Sequence, residues 1–136
     1  MTVTLIDATL WVDFTRSKSP VSVKRFIAPF VLDPSAHLAE PVEFEILRFA
    51  TEAETRLIVR QFQLMPRLRT PPNIWIEAAH LGRACRKIGF VAGALDLLIA
   101  TVAIHHEAEL VTLDGDFEKI AKCSNLRVKL LSRPAV

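Results

Sequence analysis

The chain has 136 residues, of which 51% are hydrophobic and 24% charged, with a net charge of +2 and two cysteines. That length suits one domain, 1–136, with its own core, and the composition excludes a disordered tail. Cys85 and Cys123 are isolated in sequence and exclude a disulfide framework, so two buried thiols in a reducing compartment are expected.

Residues 3–6 read as a short, fully apolar strand that ends at Asp7. The opening stretch MTVTLIDATLWVDF lacks a basic leader and is interrupted by Asp7 and Asp13, so no signal peptide is expected. Residues 9–14 are predicted helical, and 17–30 supply a second helix with Pro20 in its first turn. A short strand is expected at 36–39. Pro41 then opens a helix to about residue 50, with Phe44, Leu47 and Ile46 as its inward candidates. Helix resumes at 52–64 and stops before Pro66, and 67–70 is a brief extended piece. The helix entered through Pro71, Pro72 and Asn73 runs to Ile88 and ends at Gly89.

Residues 94–106 form an almost wholly apolar, hence buried, helix. The apolar region 88–104 carries Asp96 at its centre and is too short to span a bilayer comfortably, which points to a cytoplasmic protein with no membrane contact. A strand at 110–113, the turn Asp114–Gly115–Asp116, a short helix to Lys122 and a last strand at 126–131 complete the chain. Short apolar strands alternating with helices imply an α/β fold, an α/β/α sandwich on a mainly parallel sheet. Ligands of such sheets sit beyond the carboxyl ends of the strands, where Asp7 and Asp114 fall.

Each acid has an ordinary alternative. Asp7 suits an N-cap, Glu45 a solvated helix position and Asp114 a turn. Asp96 is different, because every neighbour in GFVAGALDLLIATVAI favours burial and an unpaired buried carboxylate is costly. Jointly, two strand ends and the start of a buried helix each present an acid with no evident basic partner. Hard divalent ions prefer such oxygen ligands, and an ion held this way screens phosphodiester charge and activates water. Setting the four acids Asp7, Glu45, Asp96 and Asp114 aside leaves a net +6, with basic clusters at Arg67–Arg69, Arg83–Lys87 and Lys119–Arg133. A basic surround about an acidic centre suits a polyanion. The scattered histidines, His37, His80, His105 and His106, do not suggest a zinc site.

The order of motifs resembles the PIN domain, specifically the VapC-type ribonuclease toxins of toxin–antitoxin modules. The resemblance rests on LIDATLWVDF at 5–14, FEILRF at 44–49, IWIEAAHLGRACRKIGF at 74–90 and DLLIATVAIHHEAELVTLDGDFEKIA at 96–121. It implies a PIN-like fold and a Mg²⁺- or Mn²⁺-dependent endoribonuclease with Asp7, Glu45, Asp96 and Asp114 as its acidic quartet. Asp7, Asp96 and Asp114 are the expected metal ligands. Asp114 and Glu45 act partly through waters and help deprotonate the water that attacks phosphorus, leaving 5′-phosphate and 3′-hydroxyl ends. Asp116 is an auxiliary acid, and Thr112 a candidate for orienting water or phosphate.

The resemblance also implies an RNA substrate and a cognate antitoxin, and a homodimer is expected. Phe26, Phe30, Phe44, Phe49 and Phe62 are the candidates for the antitoxin groove. Two departures from the family pattern stand out: Phe49 replaces a small residue, and Glu43 lies two residues from Glu45, of which Glu45 is favoured because Ile46–Leu47–Arg48 follows it in the family order. The rival reading is a non-catalytic PIN-like module that binds RNA or protein, against which an intact quartet argues. Asp7-Ala8-Thr9 lacks the acidic pair of a receiver domain and the Asp-x-Asp of a haloacid-dehalogenase phosphatase.

Overall fold

A computed structural model describes residues 2–135. Four short strands, β1 (Thr4–Ile6), β2 (Ala36–His37), β3 (Glu109–Thr112) and β4 (Arg127–Leu130), form one sheet in the order β2-β1-β3-β4. All pairings are parallel, with Leu5 beside Leu110 and Ile6 beside Val111. Chain order therefore reverses between β1 and β3, and a crevice at their carboxyl ends is the place where such sheets bind ligands. Among the described residues there are seven helices: α1 (Ala8–Thr15), α2 (Val21–Val31), α3 (Glu40–Leu47), α4 (Glu52–Phe62), α5 (Ile74–Lys87), α6 (Ala94–His105) and α7 (Asp116–Ala121). This is the α/β/α sandwich expected from the alternation of apolar strands and helices.

Local chemistry accounts for most boundaries. Pro20 sits at the N-cap of α2, so residues 17–19 form a turn and the helix starts later than their composition suggests. Thr51 caps α4 in a capping box: its hydroxyl accepts the Glu54 N–H at 3.1 Å, and Glu54 Oε1 accepts the Thr51 N–H at 2.9 Å. Gly89, with φ of 85°, ends α5 in the left-handed region, while the Phe90 N–H reaches back to the Cys85 carbonyl at 3.0 Å. The extended piece at 67–70 makes a single parallel bridge, Arg67 to Leu38, beyond the end of β2.

The core gathers Leu5, Ile6, Leu10 and Trp11 from the first βα unit, Ile27 from α2, and Ile99, Val102, Leu110 and Ile120 from the second half. Trp11 is fully buried with the Phe62 ring edge-on to it, centroids 5.0 Å apart. Its indole N–H has no hydrogen-bond partner, a cost of about 1–3 kcal/mol that the ring's buried area has to outweigh. Two expectations are corrected here. Ile46 and Leu47 hold the inward side expected of them, Ile46 buried with Val42 and Leu47 half-buried against the core, whereas Phe44 is 60% exposed; and Phe62, a candidate groove residue, is core.

The cysteines are free, but they are not apart: Cys85 Sγ on α5 and Cys123 Sγ after α7 lie 3.4 Å from each other. Cys85 is buried and Cys123 only half-buried. Among the described residues no helix is long and apolar enough to cross a membrane.

Replacing Phe62 by alanine is expected to lower unfolding free energy by about 3–5 kcal/mol, because a core cavity is left under Trp11. Phe49→Ala, at an exposed position, is expected to stay within about 0.5 kcal/mol of the parent. Urea unfolding of the two variants checks the order; equal losses would mean the first-half phenylalanines share one environment.

Candidate active site

The site begins with the ends of two neighbouring strands. Asp7 follows β1 at the N-cap of α1, yet its side chain makes no capping bond. It is 2% exposed, and its Oδ2 accepts the hydroxyls of Thr9 and Thr112, each at 2.8 Å. Each hydroxyl has one proton and gives it to Asp7, so the 3.5 Å between the two threonine oxygens is only a contact. Their lone pairs face the chain after β3: Thr9 Oγ1 accepts the Leu113 N–H at 3.1 Å, and Thr112 Oγ1 accepts the Asp114 N–H at 2.9 Å. Burial pushes the Asp7 carboxyl above its ordinary range, and the hydroxyls of Thr112 and Thr9 pull it back. Both bonds reach one oxygen, so Oδ1 is left free of them.

Thr112 was expected to orient water or phosphate. It is fully buried, and its hydroxyl donates to Asp7 while accepting the Asp114 N–H. Thr9 is engaged in the same way with Asp7 and the Leu113 N–H, and its only signal in the sequence is a hydroxyl two residues past the strand-ending acid.

Asp114 turns the chain into α7. Its Oδ1 accepts the Asp116 N–H at 2.9 Å, an Asx turn that brings the two carboxylates to one side. Asp96 comes from the first turn of α6, after Gly93 at the N-cap. Asp96, Asp114 and Asp116 each offer a carboxylate oxygen, and the three oxygens lie within 4.8 Å of one another. Burial pushes the Asp96 carboxyl up to about 7, reinforced by the negative charges of Asp114, Asp7, Glu45 and Asp116. Asp116, at the rim, has Lys119 Nζ 3.7 Å from its Oδ1.

Glu45 is also held above the ordinary carboxylate range, first by burial and then by Asp7 and Asp114, with Arg48 opposing. Glu43 points elsewhere: the Arg67 guanidinium pairs with it, Nε donating to Oε1 at 3.1 Å. The geometry thus separates two glutamates that their spacing left equivalent. All four acids of the quartet share one electrostatic neighbourhood, and Asp116 joins them, but the tight oxygen cluster consists of Asp96, Asp114 and Asp116. An all-carboxylate donor set of this spacing suits a hard divalent ion.

The basic surround is thinner than the sequence suggests. Arg133 Nε lies 2.5 Å from Asp13 Oδ2, Arg127 donates to the Glu107 carbonyl, and Lys129 covers the Phe30 ring at 5.4 Å. Arg83, Arg86 and Lys87 form an exposed cationic face at the end of α5.

The crowding has a consequence for stability. The folded state holds the Asp96 proton more tightly than an unfolded chain titrating near 3.8. The stability this proton contributes is complete below that value and is lost as pH rises through about 7. Without metal, Asp96→Asn is therefore expected to melt above wild type at alkaline pH, with the gap narrowing as pH falls from 7 towards 4. Thermal melts in EDTA across that range check this. A gap that ignores pH would show that Asp96 does not titrate there.

Comparison with known proteins agrees with this architecture. The family model for the PIN domain matches residues 4–122. The chain is 34% identical over 131 residues to the VapC ribonuclease Mb1587 of Mycobacterium bovis, covering 90% of this chain and 95% of that one. Ribonuclease VapC11 of Mycobacterium tuberculosis matches with the same identity and coverage. Among solved structures, VapBC2 from Rickettsia felis, bound to a DNA fragment from their promoter, has a TM-score of 0.75 at 18% identity, covering 96% of this chain and 100% of that one. DNA-bound VapBC from Salmonella typhimurium has a TM-score of 0.72 at 16% identity, covering 95% and 98%. At such identities the structural likeness speaks for the fold alone, whereas the sequence matches span almost the whole molecule. A parallel sheet with acids at its switch point, in a chain matched nearly end to end, belongs to the PIN-domain family, among the VapC ribonucleases.

Proposed function

We propose that the chain is a divalent-metal-dependent endoribonuclease, the toxin of a toxin–antitoxin pair, acting on RNA phosphodiesters. The observation that carries this reading is the meeting of three carboxylate oxygens within 4.8 Å, beside two adjacent parallel strand ends. Asp96, Asp114 and Asp116 would hold the ion, and Asp7 and Glu45 would complete the acidic shell. When bound, Mg²⁺ or Mn²⁺ supplies Lewis-acid stabilisation of phosphoryl charge and eases deprotonation of water.

The chain's own residues do the rest. Glu45, with a raised affinity for protons, accepts one from the attacking water. Asp7, fixed by two hydroxyls, keeps the chain after β3 in place and so aims Asp114. Attack at phosphorus breaks the bond to the 3′ oxygen, leaving 5′-phosphate and 3′-hydroxyl ends. Arg83, Arg86 and Lys87 offer positive charge to the RNA backbone.

Two apolar surfaces support the partners. A groove of about 380 Å³ lined by Pro41, Phe44, Ile74, Trp75, Leu95 and Leu98 is the face for a second copy of the chain. Phe49, 68% exposed beside Ile46 and Ile58, lies on the face for an apolar antitoxin segment.

Incubation with defined RNAs tests the reaction. Wild type is expected to cut with Mg²⁺ or Mn²⁺ and not in EDTA. Asp96→Asn and Asp114→Asn should lose at least about 100-fold in rate while staying folded, and Glu45→Gln should lose far more than Glu43→Gln. Melting gives a readout apart from turnover: at ten times its dissociation constant Mg²⁺ adds about 1.4 kcal/mol, roughly 3–6 °C, to wild type and little to Asp96→Asn. RNA that is bound but left whole under all conditions would favour the non-catalytic module. For the homodimer, light scattering is expected to give twice the chain mass for wild type and a monomer for Trp75→Glu. A wild-type monomer would retire that face.

A further inference from the structure

The thiol pair lies outside the acidic site and plays no part in the proposed chemistry. Cys85 is on α5, fully buried, and Cys123 follows the C-cap of α7. Their sulfurs are 3.4 Å apart, in contact across two elements joined by no disulfide. Cys123 is the accessible partner. It lines an open cavity of about 400 Å³ together with His80, Leu81, Ala84, Thr101 and His105, between α5 and α6. Cys85 has no such opening, and burial with the neighbouring thiol keeps it protonated, pushed up to about 11.

We infer that Cys85 and Cys123 form a redox pair that closes into a reversible intramolecular disulfide, stapling α5 to the end of α7 when the protein meets a hydroperoxide. The steps follow from exposure. The Cys123 sulfur attacks the outer peroxide oxygen through the cavity and the O–O bond breaks. Cys123 becomes a sulfenic acid, and the departing oxygen takes the thiol proton to leave as water or an alcohol. The Cys85 sulfur then attacks the Cys123 sulfur, the S–O bond breaks, and hydroxide leaves with the Cys85 proton as water. The two sulfurs lose two electrons and the peroxide gains them. Forming the bond brings the sulfurs from 3.4 Å to about 2.05 Å. A dithiol reductant reverses it by exchange.

The staple would not be neutral for the fold. The ring it closes, residues 85–123, contains Asp96, Asp114 and Asp116, so it constrains the segment that carries the oxygen cluster. It limits the unfolded chain and leaves the hydrogen bonds around Asp7 untouched.

Treating the metal-free protein with a modest excess of hydrogen peroxide, followed by denaturing alkylation and intact mass analysis, tests this directly. Wild type is expected to become about 2 Da lighter, to offer no alkylatable thiol, and to regain both with dithiothreitol. Its melting temperature should rise by about 5–10 °C on oxidation and return on reduction. Cys85→Ala should instead gain about 16 or 32 Da at Cys123, and Cys123→Ser should keep an unmodified Cys85 at the same dose. Wild type that gains oxygen at Cys123 while Cys85 remains alkylatable, or that links only between chains, would overturn the pairing. So would an oxidised protein that melts no higher than the reduced one. Because wild type alone decides, neither outcome depends on the variants folding or on ribonuclease activity.

Discussion

The structure turns on one buried carboxylate. Asp7 sits where β1 ends, and its Oδ2 receives two hydroxyl protons from Thr9 and Thr112. Each threonine oxygen then holds a backbone N–H of the segment leaving β3. Two strands that are far apart in sequence are thus tied at the same end by side chains as well as by the sheet ladder. An isolated carboxylate at this depth would be expensive, and charge-assisted hydrogen bonds recover part of that cost. Removing either hydroxyl would withdraw one of the two bonds that offset the desolvation of this carboxylate, so this knot is sensitive in a way that an apolar contact is not. Its geometric effect is to fix where Asp114 leaves the sheet, and through the Asx turn where Asp116 can be.

Around that anchor the molecule accepts electrostatic conflict. The charges of Asp7 and Asp114 raise the proton affinity of Asp96 and Glu45, Asp96 most clearly, while Arg48 opposes them at Glu45 and Lys119 lies beside Asp116 at the rim. Elsewhere acids are paired in the ordinary way, Glu43 with Arg67 and Asp13 with Arg133. The contrast matters because basic residues are plentiful in this chain and could have neutralised the crevice. Arg127, Lys129 and Arg133 are engaged with a carbonyl, a ring and a distant acid instead. A concentration of like charge left unbalanced at a switch point is the kind of strain that a bound cation relieves.

Much of this was legible from residues alone. The central strands were short, largely apolar runs, the helix ends were marked by Pro, Thr and Gly, and Asp96 stood out because it broke an apolar helix. What was not legible depended on facts beyond sequence spacing. In eight-residue α3 the pairs Val42–Ile46 and Phe44–Leu47 both keep helical spacing, and packing buries Val42 and Ile46, half-buries Leu47 and leaves Phe44 exposed. Glu45 and Glu43 differ by an angle that Arg67 helps fix. Thr9 looks like any first-turn threonine until β3 arrives beside it. Asp116 ranked as auxiliary because its closeness to Asp96 depends on α6 packing against α7. The cysteines, unremarkable in sequence, meet for the same reason: α5 packs against both α6 and α7.

The division of the site between the two halves of the chain links its chemistry to folding. Asp7 and Glu45 belong to the first half, whereas Asp96, Asp114 and Asp116 belong to the α6–β3–α7 segment. The halves meet where β1 pairs with β3 and where α3 packs on α6. Only when both junctions are made do all five acids come close, so the repulsion among them opposes the very docking that creates the crevice. The buried apolar surface of Leu5, Ile6, Leu110 and Ile99 and the hydroxyl bonds at Asp7 have to exceed that opposition before any ligand arrives. A cation held by acids of the second half would also lower the field felt by Asp7 and Glu45 in the first, so binding would be coupled to docking of the halves through charge.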